Sequence, residues 1–253
     1  MDVEPYLAYF RLYAELNDHL PPGRQYTTLE KAFFIPSTVK DMIESFGVPH
    51  TEVDLVIAND RSVDFGYIVQ PNDRIAVYPM FESLDVAPEL HVRPQPLRQP
   101  KFVLDVHLGK LAAYLRMLGF DAAYRNSFSD AELVAISVGE RRILLTRDRG
   151  LLKHNAVTHG YWLRETESRR QVAEIVRRCD LAGAIRPFTR CMACNALLNA
   201  VSKEEARCVV PARIAEVYDG FLQCEQCGRG YWKGSHHDRM RQWVEILRAS
   251  PLG

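Results

Sequence analysis

Two kinds of side chain in this sequence have types and spacing suited to chemistry: carboxylates that end short apolar runs, and cysteines in close pairs. Phe102 to Leu104 runs into Asp105, and the run from Ile143 to Leu145 leads to Asp148. Between them stands Ser129-Asp130-Ala131-Glu132. Carboxylates gathered at one place repel, and their pKa values rise unless a cation joins them. Hard oxygen ligands with room for water suit Mg²⁺ or Mn²⁺. Such ions activate water and stabilise an in-line phosphoryl displacement. Strand-end aspartates have another use, since they also cap the helix that follows. Asp130, near a helix start, gains from the helix dipole in the same way, and Ser127 or Ser129 is a competing cap.

The cysteines form two C-x₂-C pairs, Cys191/Cys194 and Cys224/Cys227, with 29 residues between Cys194 and Cys224. Each pair makes a tight turn presenting two thiolates, and two such turns complete a tetrahedral Cys₄ zinc site. The intervening loop has room for a hairpin, and Gly228 suits close backbone approach to sulfur. Disulfides are the competing use, disfavoured in a cytosolic chain. Cys179 and Cys208 remain, each expected to be a small buried apolar residue.

The elements that must position these residues are legible from periodicity. The two apolar runs suit buried parallel strands. Leu108, Leu111, Ala112, Leu115 and Leu118 recur at helical spacing, and Gly119 ends that helix. Ala131, Val134, Ala135 and Val138 give a second helix its stripe. Leu151-Leu152-Lys153 starts another helix, and Ala156 to Leu163 is a strand candidate. Glu165 to Cys179 reads as a last helix with Val172, Ile175 and Val176 inward. Arg169, Arg170, Arg177 and Arg178 lie on its other face. Strand, helix, strand, helix, strand is an α/β order, and its ligand site lies beyond the carboxyl ends of the strands. Asp105 and Asp148 both belong there.

The stretch Phe-Val-Leu-Asp105-Val-His-Leu-Gly-Lys-Leu-Ala-Ala-Tyr-Leu-Arg-Met-Leu-Gly-Phe-Asp, followed by Arg-Ile-Leu-Leu-Thr-Arg-Asp148, resembles the PIN-like RNase family named after the Mut-seven exonuclease C-terminus (Mut-seven-C). The resemblance covers roughly 101 to 240, because that family also carries a zinc ribbon after the nuclease core. It implies a metal-dependent ribonuclease fold with catalytic acids at Asp105, Asp130 and Asp148, and Glu132 as a further candidate ligand. The family ribbon has a similar Tyr-Trp-x-Gly-Ser-His ending, which implies a structural role for Trp232. His236-His237 either extends a nucleic-acid surface or forms a polar loop.

Residues 1–85 read as strand, strand, helix, strand, strand, the order of a β-grasp. Tyr6, Ala8, Phe10 and Leu12 alternate, Tyr26 to Phe34 supplies the hairpin partner after Pro21-Pro22-Gly23, and Ser37 or Thr38 caps a helix ended by Gly47. Val53 to Ala58 and Arg74 to Tyr78 follow. Phe10-Arg-Leu-Tyr-Ala-Glu-Leu, Ser37-Thr-Val-Lys-Asp-Met-Ile and Asp73-Arg-Ile-Ala-Val-Tyr-Pro resemble the ubiquitin-like sulfur-carrier group, which includes the molybdopterin-synthase small subunit. Those carriers end in a Gly-Gly tail. Here Val77-Tyr-Pro-Met-Phe-Glu-Ser continues without one, so a module that binds a protein partner or regulates is expected instead. Pro88, Pro94, Pro96 and Pro100 make 86–100 a stiff linker. The expected order is a ubiquitin-like β-grasp domain (1–85), the linker, a PIN-like parallel-sheet RNase domain (101–185) and a zinc ribbon with a C-terminal helix (186–253).

The net charge is zero, yet residues 1–100 hold 8 Lys+Arg against 15 Asp+Glu, and 101–253 hold 24 against 17. A basic half suits a polyanion such as RNA. Arg116, Arg125, Arg147 and Arg149 are the candidate phosphate contacts. No apolar stretch is long enough for a membrane span, and Met-Asp-Val-Glu-Pro is unlike a signal peptide, so a cytoplasmic location is expected. The sequence points to a ribonuclease with structural Zn²⁺ and catalytic Mg²⁺ or Mn²⁺. The alternative is a non-catalytic RNA- or ribosome-binding adaptor built from the β-grasp and ribbon.

Overall fold

A computed structural model describes residues 4–79 and 100–249. The proline-rich linker therefore lies outside the described residues, except for Pro100. The chain divides into two compact units, one of residues 1–99 with Asp130–Trp162, the other of Pro100–Ser129 with Leu163–Gly253.

The first unit holds a five-stranded mixed sheet. Strand β1 (Tyr6–Leu12) pairs antiparallel with β2 (Thr28–Phe33) and parallel with β5 (Arg74–Pro79); β3 (Val53–Ala58) lies between β5 and β4 (Arg61–Val63). The alternation of β1 buries Ala8, Phe10 and Leu12. Helix α1 (Val39–Ser45) starts where Thr38 accepts the Asp41 N–H and ends before Gly47 at φ +94°. Its stripe of Val39, Met42 and Ile43 joins Phe10, Leu12, Val56 and Val77 in one core. Burial of this continuous apolar set is the main stabilising term. This is the β-grasp expected from the sequence. Asp73 is buried and accepts bonds from Asn59, Tyr67 and the Gln70 N–H, which fixes the entry to β5. Burial, then this bond to Asp73, pushes the Tyr67 hydroxyl pKa above its ordinary value.

The same unit contains α3 (Asp130–Gly139), β8 (Ile143–Thr146), α4 (Arg149–Leu152) and β9 (Gly160–Trp162), with β8 and β9 parallel. The strand expected over Ala156 to Leu163 is shorter, three residues. These elements are tied to the β-grasp. The His50 Nε2 lies 2.9 Å from the Val157 carbonyl, and Glu52 accepts the Trp162 N–H. Lys153 donates to the Glu44 carbonyl. A Cβ on Gly160 would stand 3.3 Å from Thr51 Oγ1 and 2.5 Å from a Leu152 methyl. Glycine is needed for that approach.

In the second unit β6 (Phe102–Leu104) and β7 (Ala122–Ala123) are parallel, joined through α2 (Gly109–Met117). Leu108, Leu111, Ala112, Leu115 and Leu118 are all buried, as their spacing requires. Gly119 has φ +96°, and a Cβ there would lie 2.1 Å from the Arg186 carbonyl oxygen. Helix α5 (Ser168–Arg178) buries Val172, Ile175 and Val176 and is capped by Glu167, which accepts the N–H groups of Arg169 and Arg170. Those two bonds hold the Glu167 pKa below the usual carboxylate range. The ribbon is an antiparallel sheet of β10 (Leu198–Val201), β11 (Phe221–Cys224) and β12 (Gly230–Trp232). Strands β10 and β11 are consecutive antiparallel partners, and two short helices, α6 (Lys203–Ala206) and α7 (Ala212–Val217), occupy the loop between them. Phe221 with Ala206, Val210 and Ala215 forms the ribbon's own small core. Helix α8 (Ser235–Ala249) returns to the nuclease core, with the Trp243 ring edge-on to Tyr114 at 5.1 Å and the Arg169 guanidinium over Trp243.

Candidate metal centre and acidic residues

The four paired cysteines converge. Their sulfurs all lie within 4.8 Å of one another. Cys191 and Cys227 are 3.6 Å apart, Cys194 and Cys224 are 3.3 Å apart, and none is in a disulfide. A tetrahedral zinc with Zn–S of about 2.3 Å spaces its sulfurs by roughly 3.8 Å. A disulfide needs about 2.05 Å. The donor set therefore fits zinc, as the spacing implied. Each C-x₂-C segment is a turn closed on itself. Asn195 N–H donates to the Cys191 carbonyl, Gly228 N–H to the Cys224 carbonyl, and Cys227 N–H to the Cys224 sulfur. Gly228 serves the turn through φ +70°, and a Cβ there would meet only Gln223 at 3.9 Å. Its role is thus conformational rather than the close sulfur approach expected.

The thiols are electrostatically interdependent. Burial pushes the Cys191 thiol up, but bonds from the Tyr231 hydroxyl and from backbone N–H groups outweigh it and bring it down to about 6. Burial and the neighbouring thiols push Cys194 up to about 12. Four sulfurs this close cannot all ionise without a cation between them.

Arg116 locks this centre to the nuclease core. It is buried, and its guanidinium donates to the carbonyls of Ala122 (2.8 Å), Met192 (3.2 Å) and Ala193 (2.8 Å). Met192 and Ala193 are the two residues between the first cysteine pair. The structure thus places Arg116 in the interior and corrects its expected role as a surface phosphate contact. Asn195 completes the lock: its side chain donates to Asp121 and accepts the Ala122 N–H. Asn195 sits at φ +76°, a conformation asparagine tolerates better than most residues. Sequence reading missed Arg116, Asn195 and Tyr231 as supports of the metal centre. An asparagine directly after a C-x₂-C turn was the one available signal.

The leftover cysteines divide. Cys179 is half-buried, but Cys208 is exposed, so the expectation of a small apolar core residue fails for Cys208. Trp232 is 36 % exposed and stands outside the ribbon core, which Phe221 fills instead.

The acids occupy strand ends and helix starts. Asp105 follows β6, is half-buried, and makes no capping bond to the helical turn after it. Asp148 does cap: its Oδ1 accepts the Gly150 N–H at 2.7 Å, and its own N–H donates to Thr146 Oγ1. That leaves Oδ2 outside the cap. Asp130 and Glu132 are exposed in the first turn of α3, where carboxylates are favoured by the helix dipole. Asp105 belongs to the second unit, Asp130 and Asp148 to the first. Among the described residues the cysteines are the group of three or more candidate ligands brought within metal-binding distance. Of the other candidate phosphate contacts, Arg125 lies over Phe128 and Arg149 over Trp162, both exposed. Arg147 is exposed beside Asp148. No helix among the described residues is long and apolar enough to cross a membrane.

Comparison with known proteins agrees with this architecture. The Mut7-C RNAse domain family matches residues 100–244, and the Mut7-C ubiquitin family matches residues 6–85. No curated protein and no solved structure gave a significant match. A β-grasp, parallel central strands and a Cys₄ ribbon in this order, with a match over more than half its length, make this chain a member of the Mut7-C RNAse domain family preceded by a Mut7-C ubiquitin domain.

Proposed function

We propose that this protein is a metal-dependent ribonuclease that hydrolyses RNA phosphodiester bonds, with Asp105, Asp130 and Asp148 as catalytic acids and Glu132 as an auxiliary one. The family match over 100–244 carries the reading. These carboxylates would hold Mg²⁺ or Mn²⁺, which supplies an activated water and stabilises charge on the phosphate in the transition state. Asp148 is held in place by its cap and by Thr146, so its second oxygen has a fixed direction. Arg125, Arg147 and Arg149 contribute phosphate contacts. The four cysteines hold zinc structurally, and the ubiquitin-like domain receives a protein partner.

The test is cleavage of a labelled total-RNA pool with and without Mn²⁺ by wild type, D105N and D148N. Asn preserves shape and the Gly150 cap but removes the charge that holds the ion. The rate should fall at least about 100-fold, from the several kcal/mol a metal contributes to the transition state. Melting temperature should hold. D105N cleaving at the wild-type rate would make the carboxylates structural and leave an RNA-binding adaptor.

A further inference from the structure

The ribbon carries a cavity of about 890 Å³ whose floor is the β10–β11–β12 sheet and whose wall is the start of α8. Its lining is largely apolar and includes the aromatic rings of Phe188, Tyr218 and Trp232. Lys233 and the imidazole of His236 stand among them, as does Arg190, which is ion-paired to Asp121; no aspartate or glutamate lines the cavity itself. Lys233 and His236 are exposed, and Trp232 is 36 % exposed. The indole lies open on an outer strand, while the buried ribbon core closes on Phe221. An exposed indole beside an exposed lysine, with half-buried rings in the same lining and no acid among them, matches the chemistry of an unpaired nucleobase and its phosphate. Bases stack on aromatic faces whatever their sequence, while lysine and arginine neutralise the backbone. An apolar protein segment would use the rings but gain nothing from Lys233 and His236.

We infer that this groove binds single-stranded RNA, seating a splayed base against Trp232 with Lys233 on the adjoining phosphate. The inference rests on the ribonuclease reading and extends it from cleavage to grip. Such a groove would favour single-stranded over duplex RNA, since a paired base cannot leave its stack without cost.

The experiment uses the full, zinc-loaded chain without added Mg²⁺ or Mn²⁺, so that RNA stays intact. Binding of a short labelled oligouridylate is followed by fluorescence anisotropy, with a duplex of the same length in parallel. W232A should weaken single-strand binding about tenfold, which corresponds to ~1.4 kcal/mol and lies within the range for one stacked base. W232F should restore most of it, a rescue that lost folding would not give. K233A should lower the salt slope by about 0.7, the value for one phosphate contact on a single strand. Duplex affinity should move little in either variant. Zinc content and melting temperature are recorded for each. Wild-type affinity in W232A with zinc retained overturns the inference and assigns the groove to an apolar protein segment. The nuclease reading fails on a different result, undiminished cleavage by D105N, so the two are separable.

Discussion

Removing Arg116 separates two roles for an arginine that sequence alone placed on the RNA. In R116M the side chain keeps its length and apolar contacts but loses every donor. Three carbonyls are then abandoned, those of Ala122, Met192 and Ala193. Bonds from a charged donor contribute roughly 1.5–3 kcal/mol each. They do not sum freely, because burial opposes the charge and already holds the Arg116 pKa below the ordinary arginine value. Methionine removes that desolvation cost. Ala122 is fully buried, so its carbonyl loses a partner without water to replace it, about 2 kcal/mol. Ala193 is exposed, so water recovers part of the loss at the knuckle, leaving about 1 kcal/mol for the other two bonds. A total of about 3 kcal/mol lowers the melting temperature by roughly 6–12 °C for a unit of this size. Because these bonds orient the turn that presents Cys191 and Cys194, zinc affinity should fall about 10–100-fold, as for other supports of metal ligands. The assay is scanning fluorimetry with zinc transfer to a chromogenic chelator, set beside RNA affinity. A phosphate-contact role predicts the reverse pattern: weaker RNA binding with zinc and melting temperature untouched. That pattern in R116M would refute the structural reading.

Zinc binding should weaken as pH falls. The metal-free ribbon carries Cys194 pushed up to about 12 and Cys191 at about 6. The bound state needs four thiolates, so binding releases protons throughout neutral pH, and affinity should drop at least about tenfold per pH unit between pH 8 and 6, one decade for each proton released. Chelator competition giving a flat profile would contradict this. C191S should lose the metal and the ribbon's fold together, read by elemental analysis and circular dichroism, since metal binding supplies folding free energy. G119A places a Cβ 2.1 Å from the Arg186 carbonyl at a φ of +96°. It should destabilise by about 4 kcal/mol or prevent soluble expression, from steric overlap added to left-handed strain; a melting temperature within a few degrees of wild type would show that the Arg186 loop yields easily.

What could be read from sequence was local. Helices α1, α2 and α5 and their buried stripes followed from periodicity, because the same spacing that buries Leu111 and Leu115 is written along the chain. The four-cysteine cluster followed from the two C-x₂-C pairs, because each turn is complete within four residues. Arg116 could not be read, since its partners lie 6, 76 and 77 residues away, and its exposed-looking composition hid a buried position. Cys208 failed for the opposite reason: an apolar type carried no information about its exposure. The three-residue strand β9 was overextended because nothing in Ala156 to Leu163 marks where the backbone comes against Thr51. Only Gly160, whose missing Cβ permits that approach, carries the signal.

The ubiquitin-like domain shows why a composition boundary differs from a compact one. Prolines at 86–100 mark a composition boundary between the family matches at 6–85 and 100–244, and the β-grasp strands also fall in one compact unit with Asp130–Trp162. The reason lies in buried polar groups. His19, His50 and Glu52 are each under 10 % exposed. Glu52 accepts from His19 on one oxygen and from the Trp162 N–H on the other, and His50 reaches the Val157 carbonyl. The His19 ring also packs at 5.0 Å from Trp162. A module built to stand alone would leave these groups facing water, where each is well solvated. Here their burial is tolerable because the backbone of 157–162 supplies the missing partners, and an unpaired buried carboxylate costs far more than an exposed one. Carrier proteins of this fold present a free tail to their partners. In this chain the β-grasp is instead joined by these buried bonds to the segment that follows Asp148.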